Sequence, residues 1–251
     1  MRALTRGAAL FAGMAQAAFA ADISLLSAGA VEPGLRPALA AFEQASGHRV
    51  LLSFATAPQI RERVASGAVF DVLIAPPAVL DELARGGKLA GERASLGRVG
   101  LGIAVRADAP VPDIGDAEAV KRALLNANSL VFNRASTGLY FEGLLAKLGI
   151  AAQTQGKTTR YPDGASVMEH VIKGSGREIG AGAITEIMLY RDKGLRFVGP
   201  LPAALQNYTV YQASAMAVGG GPSANAEALL RHLRSAATAA QFLAAGIEAA
   251  P

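Results

Sequence analysis

The chain has 251 residues, 51% of them hydrophobic and 18% charged, which is enough apolar material for one large domain or two small ones. It contains no cysteine, which excludes disulfides, thiolate nucleophiles and cysteine metal sites. The formal net charge is +4 and no basic run stands out, so nucleic acid is not expected as a partner. The three histidines, His48, His170 and His232, do not have metal-ligand spacing, and we expect neither a metal site nor a cofactor.

Residues 1–20 have the pattern of a secretory signal peptide. Arg2 and Arg6 precede a short apolar run, and Ala18-Phe19-Ala20 is an A-x-A cleavage site. The run is too short to span a bilayer, which needs roughly 20 apolar residues. We therefore predict cleavage before Ala21, export to the periplasm and no transmembrane helix.

Strand and helix patterns then alternate through the first part of the mature chain. Leu35, Leu39 and Phe42 recur at helical spacing, and Gly47 stands where a helix would end. This β-α-β-α-β order predicts a parallel sheet with right-handed crossovers. The predicted elements are strands at 23–26, 50–54 and 70–75, and helices at 35–42, at 58–66 and at 79–84.

The rest of the chain continues the alternation and contains two long apolar strands, at 99–105 and 208–218. Because these two strands flank a central block, we predict two α/β lobes with the chain crossing between them twice. The predicted division is residues 21–101 plus 213–251 for lobe I and 102–212 for lobe II. The other predicted elements are strands at 129–132, 179–184 and 195–198, and helices at 117–125, 138–148, 167–172 and within 224–245.

Six segments, taken in order, carry a family resemblance: Ile23–Leu35, Phe42–Val50, Ser53–Ala57, Val64–Ala75, Thr137–Tyr140 and Lys147–Gly149. Together they resemble type II periplasmic solute-binding proteins of ABC importers, and within them the molybdate-binding branch. The resemblance covers essentially the whole mature chain. It implies a two-lobed fold of the periplasmic-binding-protein type II class, each lobe a mostly parallel sheet flanked by helices, with two crossover strands as the hinge. It also implies a monomer, not an enzyme, that captures a small anionic solute and delivers it to an ABC permease in the inner membrane.

Three positions depart from the molybdate-binding branch. The resemblance implies serine hydroxyls in the first two loops, where this chain has Ala30 and Ala57, and a late tyrosine, which falls near Ala183. A buried oxyanion needs hydrogen-bond donors in place of water, and here three donors are replaced by methyl groups. We therefore expect the fold to be kept and the ligand to be a small organic carboxylate. Molybdate or tungstate, held by main-chain donors, remains the alternative.

Helix starts that follow strands are the natural anion sites of this architecture. In the segment 133–138, Arg134 can pair with a carboxylate, and Ser136 and Thr137 offer hydroxyl and N–H groups, although helix capping explains these residues equally well. Tyrosines near the expected hinge can cover an apolar ligand body or belong to the core. The predicted ligand-binding residues are Ala28, Gly29, Ala30, Thr56, Ala57, Arg134, Ser136, Thr137, Ser166, Tyr208 and Tyr211.

Two other classes of protein share this fold type. An exported enzyme is one, but no Ser-His-Asp order and no H-E-x-x-H motif is present, and a base at Glu186 or Asp163 has no further support. A solvated or hinge role is the expectation for Glu186. The effector domain of a transcription regulator is the other class, and the signal peptide and the lack of a DNA-binding region argue against it.

Overall fold

The computed structural model describes residues 21–250, which form two α/β lobes joined by long strands. The predicted signal peptide falls outside the described residues. The strands are β1 (Asp22–Ser27), β2 (Arg49–Phe54), β3 (Val72–Ala75), β4 (Leu89–Arg106), β5 (Ser129–Asn133), β6 (Thr158–Tyr161), β7 (Glu178–Ala183), β8 (Leu195–Pro200) and β9 (Tyr208–Met216). The helices are α1 (Glu32–Ser46), α2 (Ala57–Ala65), α3 (Pro77–Arg85), α4 (Ala117–Asn126), α5 (Ser136–Lys147), α6 (Ala151–Thr154), α7 (Gly164–Lys173), α8 (Ile184–Met188), α9 (Ala224–Leu233) and α10 (Ala236–Ala244).

Lobe I is built on a sheet with the strand order β2-β1-β3-β9-β4. β1 is parallel to β2 and β3, as the β-α-β-α-β pattern predicts, and β9 is antiparallel to both of its neighbours. Leu35, Leu39 and Phe42 lie on the buried face of α1, which packs against this sheet. Gly47 ends the helix with φ of 74°, a left-handed conformation that glycine adopts without steric cost.

Lobe II is built on the strand order β4-β7-β5-β6, with β8 paired to β4. β5 is parallel to β6 and β7, because α5 and α7 provide the crossover connections. Phe132 and Phe141 are fully buried in its core and pack edge to face, with ring centroids 5.1 Å apart. Such aromatic pairs contribute about 0.5–1.5 kcal/mol beyond their buried area.

The lobes share β4, an 18-residue strand. As far as Gly100 it pairs with β9, and from Leu101 onward it pairs with β7 and β8. β9 returns to lobe I with Tyr208 opposite Gly100 and pairs within that lobe along its whole length. In the structure the chain is therefore back in lobe I from Tyr208 onward, whereas the sequence analysis begins the second part of lobe I at residue 213. The exact lobe boundaries stay a prediction.

The structure contains the predicted elements in their predicted order and adds several that were not predicted. The added elements are the first half of β4 (residues 89–98), α6, β6 and α8, and the C-terminal region holds two helices. Residues 89–98 include charged and exposed positions without a clear alternation, so the sequence does not show a strand that backbone pairing with β9 stabilises. Between residues 21 and 250, no helix is both long enough and apolar enough to cross a membrane.

Candidate functional site

A cleft between the two lobes lies at the carboxyl ends of β1, β2, β3, β5 and β7. This edge is where open α/β sheets bind ligands, because the loops and helix starts that follow the strands meet there. The cleft is narrow in this structure: its cavity volume is about 30 Å³, well below the roughly 300–1,000 Å³ of a typical small-molecule site. Its lining residues are Ala28, Gly29, Ala30, Ala55, Thr56, Ala57, Pro76, Asn133, Ala135, Ser136, Thr137, Ala183, Glu186 and Tyr211.

The start of α5 is organised by Asn133, the last residue of β5. Its buried Oδ1 accepts hydrogen bonds from the N–H groups of Ala135 and Gly138, each at 3.0 Å. Its Nδ2 donates to the Thr137 hydroxyl at 3.1 Å. Gly138 is required here, since a Cβ on it would stand 1.7 Å from the Asn133 carbonyl oxygen. Asn133 therefore fixes the turn at the start of α5, where the N–H groups of Ser136 and Thr137, two residues that line the cleft, have no intrahelical partner.

Lobe I contributes two more chain segments with main-chain donors. Gly29 and Ala30 form a 3-10 turn ahead of α1, and Ala57 begins α2 after the N-cap Thr56. The Thr56 hydroxyl donates to Gln59 Oε1 at 3.0 Å, so this side chain serves a capping box. Since the first N–H groups of a helix lack intrahelical acceptors, these segments bring main-chain hydrogen-bond donors to the lining of the cleft.

Glu186 is the acidic side chain among the lining residues, and it lies on α8 directly after β7. A Cβ on Gly29 would be 2.9 Å from its Oε1, and a Cβ on Gly164 would be 2.4 Å from its Oε2. The carboxyl group is thus enclosed between the first loop of lobe I and the first turn of α7, although the residue as a whole keeps some surface exposed. Burial, and then the charges of Asp163 and Glu32, raise the pKa of Glu186 to about 7.

Tyr211 on β9 is 5% exposed and lines the cleft from the hinge side. Burial, followed by the charge of Glu186, raises the pKa of its hydroxyl, so the group stays neutral and can donate a hydrogen bond. On α8, the Thr185 hydroxyl donates to the Ala30 carbonyl oxygen at 2.5 Å. This contact joins the two lobes at the back of the cleft.

Eight of the eleven predicted ligand-binding residues line the cleft: Ala28, Gly29, Ala30, Thr56, Ala57, Ser136, Thr137 and Tyr211. The three alanines at which the molybdate-binding branch carries donors, Ala30, Ala57 and Ala183, line it as well. Their methyl groups give part of the wall an apolar character.

Three predicted ligand-binding residues do not line the cleft. The exposed Arg134 lies in a separate groove of lobe II, because the turn after Asn133 directs it away from the helix start. Ser166 sits in the first turn of α7, where its N–H donates to the cap Asp163 at 2.8 Å. Tyr208 is 38% exposed at the crossing, with the Arg98 guanidinium 4.1 Å from its ring centroid. The arginine anchor of the sequence analysis is therefore absent from the cleft.

Two polar residues outside the predicted ligand-binding set also line the cleft: Asn133, and Glu186, for which the sequence predicted a solvated or hinge role. The signal for Asn133 was its place at the end of an apolar strand, just before a Ser-Thr-Gly helix start. The signal for Glu186 was weaker. It follows the buried strand β7 by three residues, and only the fold brings it to face Gly29 of the other lobe.

The cleft combines main-chain N–H groups from three segments, the hydroxyls of Ser136 and Tyr211, and one acid. None of its lining residues is lysine, arginine or histidine. Residues 21–250 hold no group of three or more histidine, aspartate and glutamate side chains arranged for a metal ion. Such a site can hold a small anion through neutral donors. A larger groove of about 280 Å³ in lobe II, lined in part by Arg122 and Arg177, shares no residue with the cleft.

Comparison with known families agrees with this architecture. Residues 23–248 match the family model described as bacterial extracellular solute-binding protein. Because the match spans nearly the whole described chain, the protein belongs to this family of solute-binding proteins, and the class predicted from the sequence is confirmed.

Two solved structures and one sequence relative are similar to this chain over about nine-tenths of its length. The periplasmic molybdate-binding protein of Azotobacter vinelandii has a TM-score of 0.74 at 19% identity, with 91% of this chain and 100% of that chain covered. PEB3, a protein of Campylobacter jejuni, solved with bound L-phospholactate, has a TM-score of 0.70 at 15% identity, with 91% and 100% covered. These structures show that the fold is shared. A protein named aconitate isomerase from a Pseudomonas species is 28% identical over 238 residues, 91% of this chain and 88% of its own length.

Proposed function

We propose that this protein captures a small organic carboxylate in the cleft and delivers it to an ABC permease from the periplasm. The observation that carries the proposal is the set of neutral donors in the turn ahead of α1 and at the starts of α2 and α5, in segments that line a cleft without a cationic side chain. Helix N-termini bind carboxylates through N–H groups and the helix dipole. The methyl groups of Ala30, Ala57 and Ala183 suit a ligand with an apolar carbon body better than a tetrahedral oxyanion.

The relatives support the same ligand class. PEB3 shares the fold and was solved with an organic acid, L-phospholactate, bound. The relative named aconitate isomerase is named for a tricarboxylate. Capture is expected to close the two lobes around the ligand, with β4 and β9 as the connecting strands.

The test is calorimetric titration of the chain from Ala21 with two sets of anions. One set is trans-aconitate, citrate and succinate, and the other is molybdate, tungstate, sulfate and phosphate. We expect binding within the first set only. Binding confined to the second set would refute the carboxylate proposal and restore the oxyanion role implied by the molybdate-binding branch.

Two matched serine variants locate the ligand. Ser136 and Ser166 are both half-buried in the first turn of a helix, but only Ser136 lines the cleft. Since a hydrogen bond to a charged group contributes about 1.5–3 kcal/mol, S136A is expected to weaken carboxylate binding about tenfold or more. S166A is expected to bind like the unmodified chain, and equal losses in both variants would place the ligand elsewhere.

A second candidate function is isomerisation of an unsaturated carboxylate, favoured by the carboxyl group of Glu186 inside the cleft and by the relative's name. A carboxylate there can take a proton from a CH2 carbon next to a double bond. The electron pair then shifts the double bond, a proton returns at the far carbon, and atoms balance without any oxidant. Main-chain N–H groups would stabilise the negative charge that develops.

This activity is tested by following trans-aconitate with the protein by proton nuclear magnetic resonance. Formation of cis-aconitate that E186Q abolishes and E62Q retains would establish it, because Glu62 is an exposed acid on α2 outside the cleft. Binding of trans-aconitate without conversion would leave the protein a solute-binding protein alone.

A further inference from the structure

Glu186 occupies an unusual place for an acid in a site that receives anions. Its two carboxyl oxygens face Gly29 of lobe I and Gly164 of lobe II, closer than a side chain at either position would permit. The two glycines therefore leave room for the carboxyl group at the place where the lobes meet. A ligand that fills the cleft must come into contact with this group, because Glu186 is one of the residues that line it.

No cation balances this acid within the described part of the chain. The salt bridges found between residues 21 and 250 do not include Glu186, and neither do the side-chain hydrogen bonds. The charged groups that face it are acids: Asp163, the cap of α7, and Glu32 in the first turn of α1. The other titratable neighbours are Tyr211 on β9 and Tyr190, which follows α8.

An ionised Glu186 and a bound carboxylate would repel each other in this setting. Within the cleft the nearest compensating groups are neutral donors, which the ligand itself needs. A protonated Glu186, in contrast, has one O–H group to donate, and a hydrogen bond from a neutral acid to a carboxylate oxygen is short and strong.

We propose, on the basis of the carboxylate-capture function above, that Glu186 binds the ligand in its neutral form and donates its carboxyl hydrogen to a ligand carboxylate oxygen. Each bound anion is then accompanied by one proton, and Glu186 is a specificity-determining residue of the site. A ligand anion adds to the negative charge around the group, so the complex holds the proton at a pH where the free protein has lost it.

The expected proton uptake on binding follows from the pKa of Glu186 in the free protein, which is about 7. At pH 8 about 0.9 of the free sites are ionised, so binding takes up about 0.9 proton, whereas at pH 6 the uptake is about 0.1 proton. The observed Kd therefore rises about tenfold between pH 6 and pH 8.

The experiment is calorimetric titration with trans-aconitate and citrate at pH 6 and pH 8, in buffers with different ionisation enthalpies, which report the protons taken up per ligand. E186Q keeps an N–H donor at the same place and is expected to bind with an affinity that no longer changes between these pH values. D163N removes a facing charge but keeps a capping side chain, and is expected to move the pH midpoint of binding downward. Circular dichroism melting checks that each variant is folded, and E186N, which also carries an N–H donor and no titratable group, replaces E186Q if the latter is not.

The outcomes are distinct. Binding with no proton uptake at pH 8, or E186Q with the same pH dependence as the unmodified chain, overturns this inference and leaves carboxylate capture standing. No binding of either acid at both pH values overturns the inference together with the proposed function. Proton uptake near one at pH 8 supports a neutral Glu186 in the complex and argues against its action as a base, which would need the ionised form.

Discussion

Replacement of Asn133 by alanine tests whether this single side chain holds the start of α5 in place. Asn133 is 3% exposed, and its Oδ1 satisfies the N–H groups of Ala135 and Gly138 while its Nδ2 reaches the Thr137 hydroxyl. Each buried polar group left without a partner costs about 1–3 kcal/mol. Because the Ala135 N–H is only partly buried and can reach water, we expect N133A to lose about 2–4 kcal/mol in total.

Urea denaturation followed by circular dichroism measures this loss. With a denaturant slope of about 1–3 kcal/mol per molar, the midpoint is expected to fall by roughly 1–2 M. N126A is the matched control, since Asn126 is an exposed residue at the end of α4, and its change is expected to stay within about 0.5 kcal/mol.

N133D tests the two hydrogen-bonding functions separately. It keeps the oxygen that accepts from the helix start and loses only the donor to Thr137, so its stability is expected to lie between the unmodified chain and N133A. If N133A denatures at the same urea concentration as N126A, the assignment of Asn133 as the organiser of the site is wrong.

Four further predictions concern the cleft. G164A is expected to displace the Glu186 carboxyl group, because the new Cβ would stand 2.4 Å from Oε2, and calorimetry should show weaker carboxylate binding in a folded protein. R134A is expected to bind carboxylates within about twofold of the unmodified chain, because a surface substitution outside the cleft changes little; a larger loss would return Arg134 to the site. The raised pKa of Glu186, about 7 against 4.5, means that between these pH values the folded chain holds a proton that the unfolded chain has released. Stability should therefore fall as pH rises through this window by up to about 3 kcal/mol, and denaturation of E186Q should show a flatter profile. The double variant A30S with A57S is expected to gain sulfate or molybdate binding by calorimetry, since it adds two hydroxyl donors to the lining, and no gain would mean that shape excludes these anions.

Much of the fold was predictable because local patterns and tertiary structure agree. The buried face of α1 and the left-handed Gly47 that ends it are both visible in the sequence. The first half of β4 was not, since residues 89–98 pair through the backbone with β9, more than a hundred residues later, and their side chains do not alternate. β6 is half-buried along its length and only four residues long, which leaves too little pattern to detect.

The candidate site was predictable where it depends on helix starts and not where it depends on the meeting of distant segments. The residue types of Ser136 and Thr137 are enough to predict a helix start. Arg134 was predicted to bind the ligand because it is the cationic residue nearest the start of α5. The turn that carries it places its side chain in a separate groove of lobe II, which the sequence does not show. Glu186 had only a weak local signal, its place just after the buried strand β7, because its enclosure depends on Gly29 and Gly164, which lie in different parts of the chain.

The position of β9 in the sheet affects the order in which the two lobes can fold. All strands of the lobe II sheet occur in one continuous stretch from β4 to β8, whereas β9 lies between β3 and β4 in the sheet of lobe I. During synthesis lobe II has its full set of strands first, while β3 keeps an unpaired edge until the last strand has been made. Contacts between such distant residues form slowly, and open strand edges promote aggregation. Chains cut short before Tyr208 are thus expected to retain a folded lobe II and to associate through lobe I.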